Sequence, residues 1–191
     1  ASHLNYLAHL FLAEDDDDSL IGALMGDFVK GPVSDALPPK MGEAIRQHRA
    51  IDSFTDRHPV VRDSKRRISP RFRRYAPILI DMFYDHFLAV HWQDYAEQPL
   101  AVFSDRVYRL LDARARDLPP SMQRSMHYLT HYDLLGSYRT AAGIARSLQG
   151  IERRLKRPSR LGEAISELDD NLIPLQQDFQ RFFPELMAHV R

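Results

Sequence analysis

Residues 75–95 read YAPILIDMFYDHFLAVHWQDY and form the longest aromatic-rich stretch of the chain. Their apolar side chains recur at three- and four-residue spacing, which is typical of a helix buried in a protein core. Pro77 falls in the first turn of this pattern, where proline is tolerated because the first N–H groups of a helix have no partner within it. The stretch therefore predicts a core helix that holds Asp81 and Asp85 against an apolar surface.

Helical spacing also recurs along the rest of the chain, and no segment shows the sustained alternation of apolar and polar residues that is typical of a strand. Ser19 is the predicted N-cap of the second helix, and Gly31-Pro32 is expected to end it. The patterns predict further helices over residues 4–12, 19–29, 41–57, 59–68, 100–114, 120–134, 138–149 and 159–188. We therefore expect an all-α, single-domain helical bundle over residues 5–191, with residues 1–4 set aside as a candidate non-native extension.

The size and composition of the chain exclude several classes of protein. A length of 191 residues is typical of one domain, and 26 Lys and Arg against 26 Asp and Glu leave no basic excess for general nucleic-acid binding. No apolar run approaches the roughly 18 residues of a membrane helix, and no secretory signal is visible. The absence of cysteine excludes disulfides, thiol catalysis and cysteine-ligated metals. We expect a cytoplasmic protein whose partner is neither nucleic acid nor membrane.

Histidine and aspartate residues recur at a spacing that suits metal binding. His48 and Asp52 are four residues apart on one predicted helix, so their side chains lie on one face and could converge on an ion. Asp85 and His86 are adjacent on the core helix and could flank an ion. Imidazole mixed with carboxylate suits Mn²⁺, Mg²⁺ or Fe²⁺. The spacing alone leaves open that these residues only form local hydrogen-bonded pairs.

Two segments of the chain are strongly basic. Residues 62–74 carry seven Arg and Lys against Asp63, and residues 152–160 carry five against Glu152. Solvated helix faces often have this composition. The alternative is a docking surface for an acidic protein or for phosphates, whose attraction salt screens within about 8–10 Å.

Four stretches together resemble the acyl carrier protein phosphodiesterase family. They are NYLAHL at 5–10, GDFVKG at 26–31, HRAID at 48–52 followed by Thr55-Asp56, and residues 81–92 with Asp85-His86 and His91-Trp92. The similarity covers nearly the whole chain from residue 5. It implies an α-helical relative of the HD phosphohydrolases, although those enzymes place histidine before aspartate and this chain has Asp85 before His86. It also implies a divalent-metal enzyme, favouring Mn²⁺, that removes the 4′-phosphopantetheine arm from the serine of holo-acyl carrier protein.

The resemblance and the spacing together assign roles to individual residues. We expect one or two metal ions at Asp27, His48, Asp52, Asp85 and His86. Arg49 or Lys30 is expected to hold a phosphate oxygen, and either a metal-polarised water or a nearby histidine such as His9 to protonate the departing serine oxygen. Carrier proteins of this kind are small and acidic, so we expect the dock at Arg66, Arg67, Arg71, Arg73 and Arg74.

Two alternative functions remain open from the sequence. An HD-type phosphohydrolase acting on nucleotides would share the metal ligands but would not need a basic docking face. A non-catalytic helical adaptor that binds an acidic partner would use the basic segment and would bind no metal.

Overall fold

Helices account for all regular secondary structure in residues 6–191, the part of the chain that the computed structural model describes. The prediction of an all-α fold is confirmed. The candidate extension at residues 1–4, together with Asn5, lies outside the described residues. The α-helices are α1 Tyr6–Leu12, α2 Asp17–Met25, α3 Pro39–Arg57, α4 Pro59–Arg67, α5 Ala76–Val90, α6 Trp92–Tyr95, α7 Leu100–Ala113, α8 Pro120–His131, α9 Leu134–Ser137, α10 Ala141–Arg154, α11 Ser166–Asp170 and α12 Leu172–Val190. Three 3₁₀ turns, Pro70–Tyr75, Ala115–Asp117 and Leu161–Ile165, connect some of them.

The predicted core helix is α5, and it lies at the centre of the bundle. It packs against α1, α4, α10 and α12, and Pro77 occupies its first turn as expected. The prediction that it extends to residue 95 is wrong, because the chain turns at His91 and a separate short helix, α6, follows. The buried apolar residues of the described chain form one contiguous cluster around α5.

Aromatic side chains fix α12 against α5. The ring centroids of Tyr84 and Phe179 lie 5.5 Å apart, and those of Phe87 and Phe179 lie 5.9 Å apart. Each such pair stabilises a fold by about 0.5–1.5 kcal/mol, in addition to the stabilisation that comes from burying its apolar surface. This contact anchors the C-terminal helix to the element that carries Asp85 and His86.

The boundaries of α2 differ from the prediction at both ends. Asp16, not Ser19, is the N-cap, since its carboxylate accepts hydrogen bonds from the Ser19 backbone N–H at 2.9 Å and the Ser19 hydroxyl at 2.8 Å. The helix ends at Met25 instead of residue 29. The turn at Gly26 directs Asp27 towards α3.

The later helices also differ from their predicted boundaries. Helix α10 begins three residues later than expected, because the Thr140 hydroxyl caps it by accepting from the Gly143 N–H at 3.0 Å. The region predicted as one helix over 159–188 is divided into a 3₁₀ turn, α11 and α12. None of the helices among residues 6–191 combines the length and the hydropathy needed to cross a membrane.

A buried polar network ties α4 to α12. Asp178 is 1% exposed, and its carboxylate accepts hydrogen bonds from the Ser64 hydroxyl at 2.8 Å and from Arg67 Nε at 2.8 Å. The Tyr84 hydroxyl completes the network, 2.6 Å from the Ser64 oxygen. Arg66, the neighbour of Arg67, instead pairs with Asp63 at the surface.

We expect Arg67→Ala to lower the free energy of unfolding by about 2 kcal/mol, since it leaves a buried carboxylate without its cation. The Arg67 side chain is 37% exposed, so water replaces part of the lost interaction and keeps the loss below that of a fully buried pair. Arg66→Ala is the matched control and should cost less than about 0.5 kcal/mol, because exposed pairs contribute little. Urea unfolding of the two variants measures the difference. Equal losses would contradict a structural role for Arg67.

Candidate metal centre

Side chains from three parts of the chain meet in one cluster beside α1, α2 and α3. Helix α1 contributes His9, α3 contributes His48 and Asp52, and the turn after α2 contributes Asp27. One ligand atom from each of His9, His48 and Asp52 lies within 4.8 Å of the others. Both imidazoles are buried, whereas the Asp52 side chain is 45% exposed, so the cluster is open to solvent on the Asp52 side.

Glycines allow α2 to approach α3 closely enough to form this cluster. A Cβ atom on Gly22 would lie 2.4 Å from the Met41 carbonyl oxygen, and one on Gly26 would lie 2.3 Å from Cγ of His48. Any side chain at either position would therefore push the two helices apart. The close packing sets the His48 ring directly beside the turn that carries Asp27.

The orientation of His48 is determined by its hydrogen bonds. Nδ1 donates to the Ala23 carbonyl oxygen at 2.6 Å, which leaves Nε2 facing the carboxylates. Nε2 lies 3.0 Å from Oδ1 of Asp27 and 3.3 Å from Oδ2 of Asp52. Burial disfavours the charged imidazole, but the hydrogen bonds to Asp27 and Asp52 outweigh it and raise the pKa of His48 to about 9. In the metal-free protein a proton therefore occupies the position between Nε2 and the carboxylates.

His9 lies directly on His48. The two rings stack with centroids 3.5 Å apart and planes inclined by 9°, and Nε2 of His9 donates to Oδ1 of Asp52 at 3.0 Å. Burial lowers the pKa of His9, although the bond to Asp52 opposes this, so a neutral ring stacks on a charged one. Burial opposes ionisation of Asp52, yet the hydrogen bonds from His48 and His9 hold the pKa of its carboxyl well below the usual range.

The cluster fits a divalent metal ion. Two imidazoles whose Nε2 atoms both lie within 3.3 Å of an ionised carboxylate make a mixed nitrogen and oxygen donor set. The bond from His48 Nδ1 to a backbone carbonyl is the outer interaction that commonly orients a ligating histidine. His9, which the sequence suggested as a proton donor, belongs to this donor set.

Asp85 and His86 are engaged elsewhere. Asp85 is fully buried and accepts hydrogen bonds from the backbone N–H groups of Leu7 and Ala8, each at 3.0 Å. His86 donates from Nδ1 to the Tyr138 carbonyl oxygen at 2.7 Å. Within residues 6–191, neither belongs to the group whose ligand atoms lie within 4.8 Å of each other. Their metal roles stay predictions, and the contacts seen give Asp85 a different task, which is to hold the first turn of α1.

The two expected phosphate-binding residues lie on the same loop. Arg49 donates from Nη1 to the Gly31 carbonyl oxygen at 2.8 Å and from Nη2 to the Val29 oxygen at 3.4 Å. Lys30 is exposed on that loop. Arg49 thus fixes the loop that follows Asp27, while the Lys30 ammonium faces solvent.

The five arginines of the expected dock differ in their surroundings. Arg67 is bound to Asp178, and Arg73 donates to the Ile68 carbonyl oxygen at 2.9 Å. Arg71 pairs with Glu163, which also accepts from Arg160 at 2.9 Å. Because one carboxylate binds an arginine from each basic segment, segments 62–74 and 152–160 lie side by side. The sequence did not show this adjacency.

Comparison with known proteins points to one family. The model of the family described as acyl carrier protein phosphodiesterase matches residues 4–186. A relative of that name from Enterobacter sp. (strain 638) is 35% identical over 189 residues, which cover 98% of each chain. Another, from Salmonella newport (strain SL254), is 36% identical over 186 residues, covering 97% of this chain and 96% of the relative. No solved structure matches, so the expected likeness to the HD phosphohydrolase fold stays a prediction.

Proposed function

This chain belongs to the acyl carrier protein phosphodiesterase family, and we propose that it hydrolyses the phosphodiester between 4′-phosphopantetheine and the serine of holo-acyl carrier protein. Water adds to the phosphorus, the bond from phosphorus to the serine oxygen breaks, and the serine oxygen takes a proton. The products are apo-acyl carrier protein and 4′-phosphopantetheine. The observation that supports this reaction most directly is the cluster of His9, His48 and Asp52 in a chain whose relatives match it over nearly their full length.

We propose that His9, His48 and Asp52 hold a divalent ion, with Asp27 beside them, and that the ion is Mn²⁺. Such an ion supplies a water of lowered pKa and offsets the charge of the phosphodiester oxygens. Asp27 and Asp52 bind Nε2 of His48 in the metal-free protein and so keep the ligand atoms in place. Asp85 and His86 remain candidates for a second ion.

The loop after α2 would bind the phosphate group of the substrate. Lys30 is exposed, and its long side chain is flexible. We therefore propose that its ammonium binds a phosphodiester oxygen. Arg49 is a positioning residue in this proposal, because its guanidinium is bound to the carbonyl oxygens of Val29 and Gly31. We propose a cytoplasmic location for the reaction, with which the absence of cysteine is compatible.

The joined basic segments form the surface that we propose for docking an acidic carrier protein. Arg66, Arg73 and Arg74 are exposed there. Arg71 also borders it, on Glu163. Arg67 is less suited to this role, since it is bound to a buried carboxylate.

Reversing two charges on this surface should weaken docking without changing the chemistry. We expect the double variant Arg66→Glu, Arg74→Glu to raise KM for holo-acyl carrier protein about tenfold and to leave kcat unchanged, since rim charges act on encounter with the partner. Steady-state kinetics at low and at 0.5 M salt checks it, and high salt should remove most of the difference. An unchanged KM at low salt would remove these residues from the dock.

The proposed reaction can be tested by mass spectrometry of holo-acyl carrier protein before and after incubation with the enzyme and Mn²⁺. Loss of the phosphopantetheine mass, blocked by a chelator, is the expected result. A nucleotide panel is incubated in parallel. Hydrolysis of a nucleotide with the arm left in place would instead identify a nucleotide phosphohydrolase. A purified protein that contains no metal by elemental analysis and cleaves neither substrate would identify an adaptor.

A further inference from the structure

A large cavity lies between α5, α8 and α10 and reaches the start of α1. Its volume is about 670 Å³, which is within the usual range of about 300–1,000 Å³ for small-molecule sites. Ile78 and Met82 of α5, Tyr128 of α8 and Ile151 of α10 supply much of its apolar lining. None of these residues has a role in the proposed chemistry at the metal centre.

The cavity begins one helical turn from the metal centre. Tyr6 lines the cavity, and His9 of the metal centre follows it by three residues in α1. Residues three apart are neighbours on one helix face, separated by about 4.5 Å along the axis.

The lining of the cavity is mixed, not purely apolar. The Ser147 hydroxyl is buried and has no hydrogen-bond partner among the described residues. Arg124 and Arg153 are exposed on the lining and form no ion pair within residues 6–191, and Arg154 bonds only to the Gly150 carbonyl oxygen. A ligand with an apolar body and several hydrogen-bonding groups would complement such a cavity, because the arginines can donate hydrogen bonds to carbonyl oxygens.

We propose that this cavity binds the pantetheine arm of the substrate while the phosphodiester lies at the metal centre. The inference rests on the proposed function and identifies the cavity as the part of the protein that gives the reaction its substrate specificity. Pantetheine carries a geminal dimethyl group, amides, a hydroxyl and a terminal thiol, so it matches the alternation of apolar wall and free hydroxyl. Its phosphate end would lie towards Tyr6 and His9, and its thiol end would lie between α8 and α10.

Gly150 offers a substitution that fills the cavity from within a helix. It lines the cavity in α10, and a Cβ atom there would approach no atom closer than the Nη2 of Arg153, at 3.8 Å. Gly150→Ala therefore fits and is the matched control. Gly150→Phe should occupy the space of the arm and lower kcat/KM for holo-acyl carrier protein at least tenfold, whereas the single methyl group of Gly150→Ala should cause a much smaller loss. Inhibition by free pantetheine should weaken at least tenfold in Gly150→Phe alone.

Two further measurements separate this proposal from the reaction itself. Mn²⁺ content and the unfolding temperature should be the same in the two Gly150 variants, and Ser147→Leu serves as a second filling variant if Gly150→Phe does not fold. If the natural chain fails to release phosphopantetheine, the proposed function is wrong, and calorimetric binding of pantetheine still tests the cavity. A folded filling variant that keeps the kcat/KM and pantetheine affinity of the natural chain overturns the proposal. So does a loss confined to carrier protein whose thiol is acylated, because the cavity would then hold the acyl chain.

Discussion

Replacing His48 by glutamine is expected to reduce kcat by about a thousandfold or more and to abolish stoichiometric binding of Mn²⁺. The Nε2 atom of His48 is the point where both carboxylates of the cluster converge, at 3.0 Å from Asp27 and 3.3 Å from Asp52. A glutamine can still donate a hydrogen bond, but its amide is a poor metal ligand. A thousandfold loss corresponds to about 4 kcal/mol of transition-state stabilisation, which is a reasonable share of what a catalytic ion supplies.

The control for this variant is His189→Gln, which changes an exposed histidine of α12 that stacks on Phe54 outside the cluster. It should keep both metal and activity. Turnover is measured by the mass of the carrier protein, metal by elemental analysis, and folding by circular dichroism. A folded His48→Gln protein with undiminished turnover would show that the cluster is not the catalytic centre. Loss of the metal with turnover retained would show that another site holds the reacting ion.

The fold class could be predicted from the sequence because helical periodicity is a local property. The core helix α5 was found from its apolar spacing, and the tolerance of Pro77 in its first turn followed from helix geometry. The ends of α2 were less predictable. Asp16 and Ser19 are both good capping residues, and only their mutual hydrogen bonds decide that Asp16 is the cap.

The candidate metal site could be predicted only in part, for a related reason. His48 and Asp52 share a helix face, so their spacing in the sequence determines their proximity. The stacking of His9 on His48 depends on how α1 packs against α3, which no local pattern contains.

Arg66 and Arg67 are adjacent and chemically equal in the sequence. The buried Asp178 that distinguishes them comes from α12, 111 residues away.

Asp85 shows most clearly that spacing in the sequence does not determine which neighbours a side chain contacts. Its replacement is also expected to have a large effect on stability and activity. Adjacent residues on a helix point about 100° apart, so Asp85 and His86 face different neighbours, the backbone of α1 and the Tyr138 carbonyl oxygen. The acid that the sequence suggested as a metal ligand accepts from two backbone N–H groups in the first turn of α1. Helix α1 carries His9, so Asp85 controls the position of one member of the cluster without belonging to it.

We expect Asp85→Ala to lower the free energy of unfolding by about 3 kcal/mol and kcat at least a hundredfold. Two opposing effects determine the change in stability. Burial raises the pKa of Asp85 well above the usual range, so removing the carboxyl recovers part of its desolvation cost. The substitution also leaves the N–H groups of Leu7 and Ala8 unpaired inside the protein, at about 1–3 kcal/mol each, in addition to a cavity. The second effect is larger, because both donors lose their acceptor at once.

Asp85→Asn separates the positioning role from the metal role that the sequence suggested. The amide oxygen can still accept from one of the two N–H groups, so the variant should recover about half of the lost stability and part of the activity. Urea unfolding without metal is the deciding measurement. If Asp85 were a metal ligand, it would stabilise the protein only when the ion is bound, whereas an acceptor for the N–H groups of α1 stabilises the protein with or without metal. An Asp85→Ala protein that matches the natural chain in metal-free unfolding, yet no longer binds Mn²⁺, would contradict the capping role and return Asp85 to the metal centre.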